Sequence, residues 1–207
     1  MALANYTDLV TAINGWLNRS DMNAIAPDLI ALAEAEFNRV LRCPEMEVRA
    51  TSTMTGEALA LPADFIGLRS ISSDNAQFQP SSIDDVLTLP TSYTGSPKYV
   101  AVSDGQFFFR PVPSSGEVEI VYYQKIPALT AGSPTNWLMT KYPDLYLFAA
   151  LAQAEFYNWN DPRLVLIKGR VDEIIEQVNG AAVKERYGGR TLRMSSRIEP
   201  SACGVRA

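Results

Sequence analysis

Residues 145–152, LYLFAALA, form an unbroken apolar run. A helix wound from such a run has no polar face, so other parts of the fold must cover it nearly all round. The run lies within PTNWLMTKYPDLYLFAALAQAEFYNWNDP, residues 134–162, which also holds Trp137 and Trp159. A membrane span, a ligand cleft or a core element could each account for so many rings. A spanning helix needs about 20 apolar residues, so the membrane reading falls and no membrane partner is expected. Pro143 and Asp144 suit a helix start, and Asp161 and Pro162 open the next helix, with Asp161 as N-cap. Trp137, Leu138 and Tyr142 come just before, where the chain returns from the preceding region. These seven residues are expected to form the joint of a helical core, with no chemical role.

Both ends of the chain carry helical periodicity and the middle does not. In YTDLVTAINGWLNR, Leu9, Val10, Ile13, Trp16 and Leu17 recur at helical spacing, with Thr7 as N-cap. A second helix starts near Pro27, carries Leu29, Ile30, Ala33, Phe37, Val40 and Leu41, and stops by Pro44. From Glu45 to about Lys125 the residues alternate and turn signals multiply. EMEVRATSTMTGEALALP reads as two strands joined near Thr55-Gly56. Asp104-Gly105, between KYVAV and QFFFR, marks a tight hairpin, because both central residues of such a turn need positive φ. EVEIVYYQKI alternates as a half-buried strand, and SSIDDVLTL as a short helix from Ser82. After Asp161, Leu164, Ile167, Val171, Ile174, Ile175 and Val178 mark a buried stripe. Run to Arg186, that helix spans about 25 residues and roughly 37 Å, with Gly188-Gly189 as its stop. The pattern predicts an α+β fold: a helical bundle core from the N- and C-terminal helices, an inserted antiparallel β domain, and an extended C-terminal tail. The expected boundaries are 1–44, 45–135, 136–186 and 187–207.

Charge divides the chain in the same place. Through Val183 there are 12 basic and 21 acidic residues, a balance of −9; from Lys184 onward six basic face two acidic, a balance of +4. An acidic body binds duplex poorly, since that affinity comes from neutralising phosphates. The tail basics are arginines apart from Lys184. Arg186, Arg190, Arg193 and Arg197, with Leu192, Met194 and Ile198 between them, suit docking on an acidic, partly apolar partner.

Signals for catalysis are sparse. The chain has no histidine, which removes Ser-His-Asp and Cys-His catalysis and histidine-ligated metals. Cys43 and Cys203 lack metal or disulfide spacing. No phosphate-binding glycine loop is present, and no secretory signal is read at the N-terminus. Asp84-Asp85 sit where a helix dipole favours acids, and Asp64 in LPADF suits a turn. Tyr93, Tyr99, Phe107, Phe108, Phe109, Tyr122 and Tyr123 could line a sugar face, but their alternation favours packing within a sheet. One ring of Phe107-Phe108-Phe109 must still face the opposite side, covered by another element or by another subunit. No catalytic residue, metal ligand or cofactor is assigned.

Four stretches in order carry a resemblance: YTDLVTAINGWLNR, LPADF, GSPKYVAVSDGQFFFRPVPSSGEVEIVYYQKIPAL and TNWLMTKYPDLYLFAALAQAEFYNWND. Together they resemble the head-to-tail adaptor (connector) family of tailed bacteriophages, up to about Ala182. The resemblance implies a non-enzymatic virion protein at the head-tail interface, assembled in the host cytoplasm. It implies a ring of about twelve copies beneath the portal protein, with a tail nozzle or tube protein below and DNA passing through the channel without sequence-specific binding. The basic tail would be the portal-docking arm. A tail stopper or tail-tube role in the same assembly is the nearest alternative. A carbohydrate-binding module or glycan hydrolase on the β region, using Trp137 or Tyr93, is the alternative from another class.

Overall fold

The structure, a computed structural model, describes residues 3–19, 21–73, 76–157 and 161–187. Helix α1 spans Tyr6–Leu17 and α2 spans Ala26–Val40. The cap of α1 is Asn5, not Thr7: its side chain accepts from the Asp8 amide, and the Tyr6 amide donates to the Pro134 carbonyl at 2.8 Å. A tertiary hydrogen bond at the helix entrance thus sets the start earlier than apolar spacing suggests. Helix α2 stops at Val40, and Pro44–Met46 form a separate 3-10 turn.

Eight strands follow, in two four-stranded sheets. They are β1 (Glu47–Met54), β2 (Ala58–Ala60), β3 (Phe65–Ser73), β4 (Ala76–Gln77), β5 (Gln79–Pro80), β6 (Tyr99–Ser103), β7 (Gln106–Arg110) and β8 (Gly116–Gln124). Helix α3 (Ile83–Thr88) lies between β5 and β6, capped by the Ser82 side chain. One sheet has the order β1-β8-β3-β4 and the other β2-β7-β6-β5, antiparallel throughout except the short β5–β6 pair. The two strands read around Thr55-Gly56 therefore do not pair with each other; β1 joins β8 and β2 joins β7. Gly56, at φ 125°, carries the chain between sheets. The β6–β7 hairpin turns on Asp104 and Gly105, at φ 48° and 68°.

The sheets share a core of Met54, Ile71, Phe78, Val100, Phe107, Phe109, Val118, Ile120 and Tyr122. Period-2 alternation places Val118, Ile120 and Tyr122 inside along β8. Phe107 and Phe109 are fully buried, while Phe108 points the other way and is half-buried. Arg110, at the end of the same strand, is also buried, with 1% of its surface exposed. Its guanidinium donates to Glu57 Oε2 (2.9 Å) and to the Phe109 carbonyl (2.9 Å). Satisfied in this way, a buried charge becomes tolerable.

Among the described residues three further helices follow: α4 (Trp137–Lys141), α5 (Pro143–Tyr157) and α6 (Asp161–Tyr187). A second, larger core joins Leu9 and Ile13 of α1, Ile30 and Phe37 of α2, Leu138 of α4, Leu145 to Leu151 of α5, and Val171 to Ala182 of α6. Only Phe148 and Ala152 of the apolar run are less than fully buried, so one subunit covers this helix by itself. Within α6, Val171, Ile174, Ile175 and Val178 are buried, while Leu164 and Ile167 are half-buried.

The hairpin turn yields a test. Gly105→Ala should lower stability by about 1–2 kcal/mol through the left-handed φ it must hold. Gly67→Ala should change little, because a Cβ there meets no atom within 4 Å. Urea midpoints for the two variants measure the difference.

Candidate functional site

Catalytic candidates resolve into structural roles. Among the described residues, no group of three or more His, Cys, Asp or Glu could hold a metal ion. The Cys43 thiol is buried, and burial, with Glu45 nearby, pushes its pKa up to about 11, far from reactive thiolate. Asp85 receives the Ser81 hydroxyl at 3.3 Å in the first turn of α3. Asp64 accepts the Tyr122 hydroxyl at 3.0 Å, and its carbonyl accepts the Lys125 amide. Tyr122, Phe65 and Phe107 pack on one another inside the sandwich. The two residues posited for a sugar face are separated: Tyr93 is exposed beside β7, while Trp137 packs against the helical core.

The polar groups that do converge hold the chain's return from the β region. Glu34 and Asn38, one turn apart on α2, receive the segment after β8. Asn38 Oδ1 accepts the Ile126 amide (2.9 Å), and Glu34 Oε1 accepts the Leu129 amide (2.7 Å). Tyr146, inside the apolar run, donates its hydroxyl to the same Glu34 oxygen at 2.9 Å. Asn136 donates to the Tyr146 oxygen (2.7 Å) and to the Pro127 carbonyl (2.8 Å). Its Oδ1 accepts the Met139 amide and so caps α4. Leu138 is fully buried and Trp137 partly so; Tyr142 ends α4, and Pro143 and Asp144 open α5. Asp161 and Pro162 are the first residues of α6. Burial raises the Glu34 carboxyl above its ordinary pKa of 4.5, although the Leu129 and Tyr146 hydrogen bonds pull the other way. Burial likewise raises the Tyr146 hydroxyl.

A second polar group latches the end of α6. Arg186 Nη2 donates to Glu47 Oε1 (2.6 Å) and to the Tyr123 hydroxyl (3.0 Å), which belong to paired residues of β1 and β8. The guanidiniums of Arg42 and Arg186 lie 5.8 and 6.0 Å from the Tyr123 ring centroid. Lys141 pairs with Glu45, and Asn179 Oδ1 accepts the Arg42 amide. Arg186, expected among the docking residues, is instead bonded within its own subunit, because Glu47 and Tyr123 offer it a half-buried acceptor pair. Arg190, Leu192, Arg193, Met194, Arg197 and Ile198, with the Gly188-Gly189 helix stop, lie outside the described residues.

The described surface also has exposed apolar side chains that sequence periodicity did not single out. Phe156 near the end of α5 and Val165 and Leu166 in the second turn of α6 are 69%, 72% and 76% exposed. Glu155 is buried beside them, with Arg163 Nη1 at 3.3 Å. Val165 and Leu166 fall between the stripe positions Leu164 and Ile167, so their exposure was legible once the stripe was drawn. A family model described as SU10 adaptor protein matches residues 4–195. The chain belongs to the SU10 adaptor family, whose members are phage head-to-tail adaptors. No curated protein matches it. Membership makes this adaptor a phage structural protein that meets other head and tail components.

Two measurements check the polar groups. Because the folded carboxyl of Glu34 has a raised pKa, the native state holds a proton that the unfolded chain loses above pH 4.5. The Glu34 contribution to stability is therefore full below that pH and declines as pH rises through the raised value. From pH 4.5 to neutrality the wild type should lose more stability than Glu34→Gln, read from urea midpoints along the pH series. Separately, Arg186→Ala should cost about 1–3 kcal/mol, because Glu47 and Tyr123 lose a half-buried donor.

Proposed function

We propose that this adaptor assembles as a ring of about twelve copies beneath the portal protein, joins capsid to tail, and surrounds the channel through which DNA leaves. The family match over residues 4–195 carries this reading. In it, the helices from both ends form a bundle core, the β sandwich is an inserted domain, and residues 187–207 are the arm that docks on the portal. The docking side chains are Arg190, Leu192, Arg193, Met194, Arg197 and Ile198; Arg186 anchors the base of the arm. The acidic body repels the phosphates that pass it, so DNA moves through without being held. A tail nozzle or tube protein binds below. In this reading the protein is a structural component and not an enzyme, as its adaptor family suggests.

Subunits in a ring meet through two different surfaces. The exposed side chains of Phe156, Val165 and Leu166 suit such surfaces, since covering each is favourable by about 1.5–3 kcal/mol at full burial.

Electron microscopy of purified portal mixed with the adaptor should show a closed ring on the portal's tail-facing end. Arg193→Glu with Arg197→Glu should abolish that ring while the circular dichroism of the isolated protein stays unchanged. Wild-type ring formation by the double variant would remove the docking-arm assignment. Capture of tail protein without portal would move the ring lower, to the stopper position.

A further inference from the structure

A groove lies where α2, α5 and α6 meet. Leu164 and Val171 of α6 and Phe156 of α5 give it apolar walls, and Glu36, Gln153 and Lys168 supply polar atoms. Its volume is about 200 Å³. One water takes roughly 30 Å³ in the liquid, so the groove admits a branched aliphatic side chain. Phe156 lines it while 69% exposed, so this apolar wall is left uncovered by the subunit. Glu36 accepts one long hydrogen bond, from Gln153 at 3.4 Å. Lys168 is exposed and has no ion pair among the described residues.

A side chain that matches the groove stands on the same helix, on its other side. Successive helical residues turn by about 100°, which puts Leu166 about 200° from Leu164. Lys168 and Val171 lie within about 40° of Leu164 and share its face. Leu166 is 76% exposed, more than any other large apolar residue described. Arg170, one turn on, and Glu173, two turns on, flank it on the solvent face and bond each other at 2.7 Å. Gly169 is exposed on the adjoining turn, where an added Cβ would meet no atom within 4 Å. A glycine inside a helix weakens it relative to alanine, and its usual return is close approach by another backbone. Nothing inside the subunit makes that approach. Because Leu166 and the groove face apart, no copy fills its own groove.

We infer that Leu166 of one copy seats in the groove between α2, α5 and α6 of the next. Arg170 then reaches Glu36 across the contact, and Glu173 reaches Lys168. Each side offers one acid and one base, so charge matches along with shape. The exposed Arg170–Glu173 pair is weakly held and free to exchange partners. Surfaces on opposite sides of one helix make a head-to-tail contact, in which every copy gives once and receives once. Such contacts close into rings or run on as filaments, and they do not form two-fold dimers. The assignment rests on the ring reading for its place in the virion, while the contact itself belongs to any two free copies.

Cross-linking between two full-length variants tests it, both carrying Cys203→Ser, with Cys43 buried. One has Arg170→Cys and the other Glu36→Cys, which leave Leu166 and the apolar walls in place. A short bismaleimide should join this mixed pair about tenfold or more faster than it joins Arg170→Cys to Leu87→Cys, an exposed site on α3. Adding Leu166→Asp to the Arg170→Cys chain should cut the rate by about tenfold, with its circular dichroism unchanged. Equal rates at the groove and control sites, or a rate that Leu166→Asp leaves unaltered, would overturn the inference. Arg170→Cys joining to itself as fast as to Glu36→Cys would overturn it too, by making the contact two-fold. The expected cross-link without a ring on the portal would remove the ring reading and leave this contact standing.

Discussion

The single carboxylate oxygen Glu34 Oε1 accepts from the Tyr146 hydroxyl and the Leu129 amide, and much of the fold turns on that node. The apolar run of α5 must be surrounded, and Tyr146 is the one member with a polar group to satisfy. Placing its acceptor on α2 brings α2 and α5 together, with Phe37 meeting the Tyr146 ring edge-on at 5.2 Å. Placing the second donor at Leu129 binds the segment that leaves β8. Asn136 then closes the chain by donating to Tyr146 and capping α4. In a low-dielectric interior such a network is rigid when complete and costly when broken. The sandwich is thus held to the helices by directed bonds as well as by apolar contact.

The Arg186 latch does the same work at the far end of α6. It ties the C-terminal helix to the first residue of β1, and Arg42 of the loop after α2 shares the Tyr123 face. The latch fixes the end of α6 against the sheet. An arginine with a bidentate-capable head and two acceptors suits that role better than a lysine would. Charge counting placed Arg186 with the basic residues that follow it, and in the fold it holds α6 to β1.

Some of this was legible in the chain. Helical spacing found α1, α2 and α6, because an amphipathic helix carries its own period, and α5 was legible from its Pro143-Asp144 start and unbroken apolar run. Asp104-Gly105 and Ser82 were readable for a local reason, since a tight turn and a helix cap are decided within four residues. The sequence reading did not isolate β3 or the short α4, and it left β1 and β2 next to each other without assigning their partners. Thr7 and Asn5 are both good caps, and Asn5 is the one that accepts the Asp8 amide where Tyr6 bonds Pro134. Arg110 was not singled out, and its burial depends on Glu57, which is distant in sequence.

The sequence by itself determined the type of most elements, the apolar faces that periods of 3.6 and 2 demand, the charge division near Val183, and the absence of histidine chemistry. These are local or compositional properties, present in any conformation of the chain. Only the tertiary structure decided which strands pair, which acid receives Tyr146, that Arg186 turns inward, and that β1 is left as an open edge. Each of those depends on groups brought together from distant positions, where burial sets whether a charge or a backbone donor must find a partner.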